Sequence, residues 1–229
     1  MCNRSWLVIG CVLGCILSLL ILPYSLSPVR PEVWQPSSAV TLNSHYAPNN
    51  KLAHYQLICQ QCGQGPEDIV FDDQGALWTG LANGDIVKLL PPYDTNQPQL
   101  IANTSGRPLG MRFDNQQRLV VADAYKGLIR LEPDNSWTVL ANEYQGIPLI
   151  FVDHLVIANN GDVYFSDAST RFSYHDFILD FIETSHTGRI FVYRATTNTL
   201  ELLVDGLFFA NGVALNSDQS NLYINGTGR

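Results

Sequence analysis

The feature that most constrains this chain is a repeated block of strand, turn and strand between residues 67 and 224. In each block an apolar stretch leads into a polar turn, and a second apolar stretch follows the turn. Alignment of the blocks places Gly75, Gln117, Gly161 and Gln219 at one shared turn position, with spacings of 42, 44 and 58 residues. A period near 42 residues with four strands in each unit is typical of a β-propeller blade.

The long third interval contains an insertion over residues 171–186. Its apolar residues have a spacing that predicts a short amphipathic helix: Phe172, Tyr174, Phe177, Ile178, Phe181 and Ile182. We therefore predict an all-β fold over residues 55–229 that contains about three and a half propeller blades. Because a ring cannot close with that number, we expect this sequence to be a fragment of a longer propeller.

The first thirty residues differ in composition from the rest of the chain. Arg4 precedes an apolar run over residues 6–22, which is close to the ~20 residues that a membrane-spanning helix needs. A cleaved signal peptide is disfavoured because Pro28 follows the candidate cleavage site. We predict an uncleaved single-pass membrane anchor over residues 1–29 and a linker rich in Pro, Ser and Asn over residues 30–54. From the charge of Arg4 we expect the propeller to lie on the extracytoplasmic side of the membrane, which is the periplasm or the extracellular or lumenal space.

Composition narrows the possible partners. The formal net charge is −8 and no basic patch is present, so nucleic acid is not expected as a partner. Five cysteines are too few for a scaffold built on disulfides. Cys59 and Cys62 have the spacing of a redox motif but lack its βαβ context, which leaves a local disulfide or two free thiols.

The repeat brings four positions to equivalent places at the start of each unit. They lie four residues before the apolar residue that precedes each turn, and they are Glu67, Leu109, Asp153 and Asn211. The first strands of all blades begin near the central channel, so we expect these side chains to converge. Three of the four carry oxygen, which is the ligand atom that a hard cation such as calcium prefers. The alternative is that they satisfy backbone groups at the strand ends.

Several strings of residues give this chain a resemblance to a known superfamily. They are residues 65–67 (GPE), 106–110 (GRPLG), 121–128 (VADAYKGL), 151–155 (FVDHL), 164–169 (YFSDAS) and 209–213 (FANGV). From about residue 65 onward the chain resembles the superfamily of strictosidine synthase, the gluconolactonase and regucalcin group and the paraoxonases. It is most similar to the strictosidine synthase-like and adipocyte plasma membrane-associated protein branch, in which an N-terminal membrane anchor is common.

The resemblance implies a six-bladed propeller with calcium or another divalent cation in its channel. It assigns the cation ligands to Glu67, Asp153 and Asn211, although the family usually has Asn where this chain has Asp153. His154 stands where the family has Asp, and Leu109 stands where paraoxonase-like enzymes have a His that serves as general base. The later acidic residues of the family's hydrolases and synthases would lie beyond Arg229.

These observations favour a calcium-dependent lactonase or esterase-like hydrolase that acts on a small-molecule ester or lactone. The first alternative is a condensing enzyme or lyase of the strictosidine synthase type. The second is a non-catalytic binding propeller tethered to the membrane, which Leu109 and His154 favour. The sequence assigns no catalytic residue, and fold resemblance alone does not choose among these functions.

Overall fold

The computed structural model describes residues 4–31, 33, 38, 41–94 and 97–227 of the chain. Helix α1 spans Arg4–Leu26, and a short 3-10 turn follows at Ser44–Tyr46. A helix that crosses a bilayer needs about 20 consecutive apolar residues. Within the described ranges, no helix has the length and apolar character that a membrane span requires. The predicted membrane-spanning anchor over residues 1–29 is therefore not supported, although a helix does form there.

The strands after residue 68 form consecutive antiparallel sheets in simple up-and-down order. Blade 1 contains β1 (Ile69–Phe71), β2 (Leu77–Gly80), β3 (Asp85–Leu89) and β4 (Gln99–Asn103). Blade 2 contains β5 (Pro108–Phe113), β6 (Leu119–Asp123), β7 (Gly127–Leu131) and β8 (Trp137–Ala141). A small hairpin of β9 (Glu143–Tyr144) and β10 (Ile147–Pro148) follows. Blade 3 contains β11 (Val152–Ile157), β12 (Val163–Asp167), β13 (Gly188–Arg194) and β14 (Thr199–Leu207). A sheet of β15 (Ala210–Leu215) and β16 (Leu222–Gly226) ends the described residues.

This order confirms the predicted all-β architecture of three four-stranded blades and the first two strands of a fourth. The insertion between β12 and β13 contains a 3-10 turn, Tyr174–Asp176, and helix α2, Phe177–Glu183, as the sequence predicts. The structure of this chain does not test whether the complete ring has six blades, so that number stays a prediction.

The four aligned turn residues share one backbone conformation. Gly75, Gln117, Gly161 and Gln219 have φ values of 78°, 59°, 88° and 59°, which all lie in the left-handed region. In each turn the N–H of that residue donates to the carbonyl three residues earlier, at distances of 2.8 to 3.0 Å. A left-handed residue favours glycine, so its recurrence at one position confirms the repeat alignment.

The first strands of successive blades pack side by side: β1 with β5, β5 with β11, and β11 with β15. Buried apolar side chains fill the spaces between neighbouring blades. Blades 1 and 2 share a cluster that includes Ile86, Met111 and Val121, all fully buried. Blades 2 and 3 share a cluster that includes Phe165 and Phe191, whose rings stack with centroids 5.5 Å apart. The packing between blades therefore fixes where each first strand begins.

Cys59 and Cys62 form a disulfide, which is one of the two states that the sequence left open. The bridged segment lies beside blade 1, and together they line a small apolar cavity of about 90 Å³ that includes Ile58, Leu77 and Leu81. The disulfide closes a local loop within this segment, and the apolar residues around the cavity hold the segment beside the first blade.

Replacement of Phe165 tests the packing between blades 2 and 3. We expect Phe165→Ala to lower the free energy of unfolding by about 3 to 5 kcal/mol, because it leaves a cavity in the cluster that blades 2 and 3 share. Tyr223 is 62% exposed on β16, so Tyr223→Ala is the control and should change stability by less than about 0.5 kcal/mol. Denaturant unfolding followed by circular dichroism measures both, and equal small effects would contradict this account of the core.

Candidate cation site

The predicted site residues of blades 2, 3 and 4 lie in β-bulges. In β11, Val152 pairs with Asp167 and Leu155 pairs with Phe165, so that Asp153 and His154 share the space of one partner residue. Register shifts at the same place leave Leu109 and Gly110 in a bulge of β5, and Asn211 and Gly212 in a bulge of β15. A bulge redirects the side chains next to it. The repeated bulge therefore turns equivalent side chains toward one place.

Glu67, Leu109, Asp153 and Asn211 line a single cavity of about 320 Å³. The structure thus brings together all four positions that the repeat alignment selected. Asp153 is 5% exposed and Leu109 is 3% exposed, whereas Glu67 is exposed. The remaining residues of the lining are Arg107, Phe151, Tyr174, Phe177, Phe181, Phe209 and Thr227.

Both carboxyl groups of the cavity have raised pKa values, so their ionised forms are costly. Burial raises the pKa of Asp153 to about 7, and the nearby Glu67 carboxylate adds to the rise while Arg107 opposes it. The pKa of Glu67 is also raised, first by burial and then by Asp68, while Arg107 and Arg112 lower it. A cation between these groups would remove this penalty, because opposite charge favours the ionised form.

The donor set fits a hard divalent cation. Asn211 uses its amide nitrogen to donate to the Thr227 hydroxyl at 3.0 Å, which leaves the amide oxygen available as a ligand. Two carboxylates and one amide oxygen are ligands that calcium accepts. In the described part of the chain, no group of three or more His, Cys, Asp or Glu side chains is placed to hold a metal. A site here therefore depends on the amide as its third donor, and the assignment of Glu67, Asp153 and Asn211 as ligands stays a prediction.

Two buried aspartates hold the starts of the first strands in place. Asp167, at the end of β12, accepts the backbone N–H of Phe151 at 3.0 Å, two residues before Asp153. Its other oxygen accepts from Arg189 Nη2 at 2.6 Å. Asp123, at the end of β6, accepts the N–H of Arg107 at 3.0 Å in the same way. These aspartates therefore position the site residues, a role beyond the ordinary turn bonding that a strand-end Asp suggests.

His154 joins blade 3 to both of its neighbours. Its Nδ1 accepts the N–H of Val213 in β15 at 3.2 Å, and its Nε2 lies 3.3 Å from Arg112 Nη2 in β5. Arg112 in turn donates to the carboxylate of Asp68, just before β1. Burial and the Arg112 charge lower the pKa of His154. His154 thus supports the seam between blades beside Asp153, where the family resemblance had expected Asp.

Two glycines of the string at residues 106–110 allow close approach around the bulges. A Cβ on Gly110 would lie 2.8 Å from the Cα of His154 and 2.9 Å from the carbonyl oxygen of Asp153. A Cβ on Gly106 would overlap the carboxylate of Asp123. Glycine is therefore required where blade 2 meets the bulge of blade 3 and where the Asp123 contact forms.

The cavity also has an aromatic wall that the repeat alignment did not predict. Five rings follow one another around it, with centroid distances of 4.6 to 6.1 Å: Phe151, Tyr174, Phe177, Phe181 and Phe209. Three of them come from the 3-10 turn and α2 of the insertion. The amphipathic pattern of residues 171–186 was visible in the sequence, but nothing in that pattern indicates which surface its apolar face covers.

Sequence comparison identifies the family of this chain. A sequence model described as Strictosidine synthase matches residues 153–227, and one described as Strictosidine synthase-like, N-terminal matches residues 45–89. The chain belongs to the strictosidine synthase-like family. Protein STRICTOSIDINE SYNTHASE-LIKE 6 of Arabidopsis thaliana is 37% identical over 161 residues, covering 69% of this chain and 43% of that protein. An adipocyte plasma membrane-associated protein of Salmo salar is 34% identical over 231 residues, covering 92% of this chain and 55% of that protein.

The chain spans about half the length of the curated relatives that it matches. Among solved structures, a gluconolactonase from Xanthomonas campestris superposes with a TM-score of 0.61 at 20% identity, covering 74% of this chain and 57% of that protein. A streptogramin B lyase superposes with a TM-score of 0.51 at 14% identity, covering 72% of this chain and 49% of that protein. At these identities the likeness supports the propeller-like fold alone.

The buried carboxyl of Asp153 predicts a pH-dependent loss of stability. With a pKa of about 7 in the folded state and an ordinary value near 4 when unfolded, this group destabilises the fold as pH rises from about 4 to 7. In the presence of EDTA, we expect Asp153→Asn to raise the melting temperature by a few degrees at pH 8 and by much less at pH 4.5.

Differential scanning fluorimetry at the two pH values measures this effect. Asp205 is exposed on β14, so Asp205→Asn is the matched control and should give the same small change at both values. A gain for Asp153→Asn that is equal at pH 4.5 and pH 8 would show that burial of the charge is not its cause.

Proposed function

We propose that this chain carries the cation-binding part of a hydrolase that acts on small-molecule esters or lactones, with calcium as the first candidate cation. The observation that supports this proposal most strongly is the shared cavity of Glu67, Asp153 and Asn211. Because the pKa values of Asp153 and Glu67 are both raised, the cavity has an electrostatic reason to take up a cation. The complete protein's substrate and activity are part of this proposal.

Some residues of the cavity would hold the cation, and others would bind the substrate. A divalent cation in such a site polarises a carbonyl oxygen and lowers the pKa of a bound water. Glu67, Asp153 and Asn211 would supply the oxygen ligands of this cation. The aromatic wall of Phe151, Phe181 and their neighbours excludes water from one side and offers apolar surface to the part of the substrate that does not react.

The solved relatives are consistent with small-molecule chemistry in this fold. The Xanthomonas campestris protein is a gluconolactonase and the streptogramin B protein is a lyase. Their sequence identities of 20% and 14% do not transfer a substrate to this chain. The proposal of ester or lactone hydrolysis therefore depends on the cavity and its oxygen ligands.

One observation favours a non-catalytic binding propeller as the second candidate. Leu109 is buried in the cavity wall at the position where paraoxonase-like enzymes have a His, and an aliphatic side chain cannot transfer a proton. A binding propeller would take up the cation and a ligand without turnover. Cation binding without hydrolysis is the outcome that would favour it.

Location outside the cytoplasm remains part of the proposal. The Cys59–Cys62 disulfide supports it, because disulfides persist in oxidising compartments and are rare in the cytosol. Mass spectrometry of the protein isolated from its native source, alkylated before reduction, measures the state of the pair. Two alkylated thiols would argue against this location.

Loss of one carboxylate should weaken cation binding and any hydrolysis that depends on it. We expect Glu67→Gln to lower calcium affinity of the 229-residue chain by about tenfold or more, because one charged ligand is lost. Isothermal titration with calcium at pH 8 measures binding, and release of 4-nitrophenol from 4-nitrophenyl acetate with calcium or EDTA measures hydrolysis. Glu143 is exposed on β9 and is absent from the cavity lining, so Glu143→Gln is the matched control.

The possible outcomes separate the candidate functions. Calcium-dependent hydrolysis that Glu67→Gln abolishes and Glu143→Gln retains is the expected result. Calcium binding without hydrolysis favours the binding propeller. Hydrolysis that persists in EDTA would contradict a role of the cation in turnover, and absence of calcium binding in the unaltered chain overturns the cation site.

A further inference from the structure

A buried arginine forms part of the same cavity wall. Arg107 is 4% exposed and lies in the lining together with Glu67 and Asp153. Its Nη1 donates to the carbonyl of Gly65 at 2.8 Å, and its guanidinium carbon lies 5.2 Å from the centre of the Tyr174 ring. The carbonyl contact and the stacking contact therefore hold the guanidinium in a fixed place beside the carboxylates.

The charge of this arginine is only partly compensated. Among the described residues, Arg107 forms no ion pair within 4 Å, and its buried Nε has no hydrogen-bond partner. Burial of a guanidinium without an oppositely charged partner is costly. Its favourable electrostatic interactions are through space, because Arg107 lowers the pKa of both Glu67 and Asp153. The cavity thus contains two carboxylates and one fixed positive charge.

We propose that Arg107 is a built-in counter-ion that sets how tightly Glu67, Asp153 and Asn211 hold a divalent cation. The inference depends on the proposed cation site and adds a determinant of its affinity. A fixed positive charge offsets one carboxylate charge and repels an entering cation, and this repulsion is large where water is excluded. Asp153 makes the cavity more negative than an amide at that position would. Arg107 offsets part of that negative charge, so bound calcium can still exchange with solvent.

Arg107 has a second contact that must be separated from its charge. Because it bonds to Gly65, two residues before Glu67, it also holds the segment that carries this ligand. Removal of the charge should tighten cation binding, whereas loss of the contact to Gly65 should weaken it. A Lys in place of Arg107 keeps the positive charge but loses the planar arrangement of N–H donors. A Gln loses the charge but keeps an amide NH2 group that can donate.

Calcium titration of the 229-residue chain by calorimetry at pH 8 tests the proposal. Arg107→Gln is expected to raise calcium affinity by about tenfold, because removal of a like charge within the cavity is worth at least that factor. Arg107→Lys is expected to stay within about threefold of the unaltered chain. Weaker binding by Arg107→Gln would overturn the counter-ion role and leave Arg107 as a residue that only positions Glu67.

A second variant keeps the proposal testable if Arg107→Gln does not fold. Asp153→Asn leaves the cavity with one carboxylate opposite Arg107, so its net charge falls to zero and calcium affinity should fall at least tenfold. An unchanged calcium affinity in Asp153→Asn would contradict the proposal that the net charge of the cavity sets this affinity. If the unaltered chain binds no calcium, the proposed cation site itself fails. Calcium binding that Arg107→Gln leaves unchanged but Asp153→Asn weakens refutes only the role of Arg107, whereas binding that Asp153→Asn leaves unchanged contradicts Asp153 as a ligand.

Discussion

Packing of the first strands of neighbouring blades against one another is the constraint on which the site depends. Two of the first strands, β11 and β5, start where a buried contact holds them: Asp167 accepts the backbone N–H two residues before Asp153, and Asp123 accepts the N–H two residues before Leu109. The bulges in β5, β11 and β15 then turn equivalent side chains into one cavity. Weakening of the packing between blades would therefore move the ligands as well as lower stability.

The repeat predicted the blades, the register of the turns and the meeting of Glu67, Leu109, Asp153 and Asn211, because the pattern of strand, turn and strand recurs with a period near 42 residues. The bulges were not predictable, since one extra residue in a short strand does not disturb the apolar pattern. The aromatic wall was missed because the helical pattern of residues 171–186 carries no information on what it packs against. The predicted membrane-spanning anchor is unsupported, since an apolar run in the sequence does not by itself establish a spanning helix.

The electrostatics of the cavity depend on the buried carboxylate of Asp153, at a position where the resemblance implies an amide. A carboxylate at Asp153 in place of an amide adds a buried negative charge, and its pKa of about 7 reflects that cost. Arg107 offsets part of the charge and a divalent cation would offset the rest. His154 meanwhile takes on a structural role by accepting the N–H of Val213 and contacting Arg112. Two adjacent residues thus have different roles: Asp153 contributes to the proposed cation site, and His154 supports the packing between blades.

The most direct test of the cation site is an anomalous difference map from crystals of the chain grown with manganese, which binds to similar oxygen ligands. The account predicts a single strong peak within about 2.6 Å of oxygens from Glu67, Asp153 and Asn211. A peak that lies elsewhere, or a cavity without a peak in crystals that hold manganese at other sites, would contradict it.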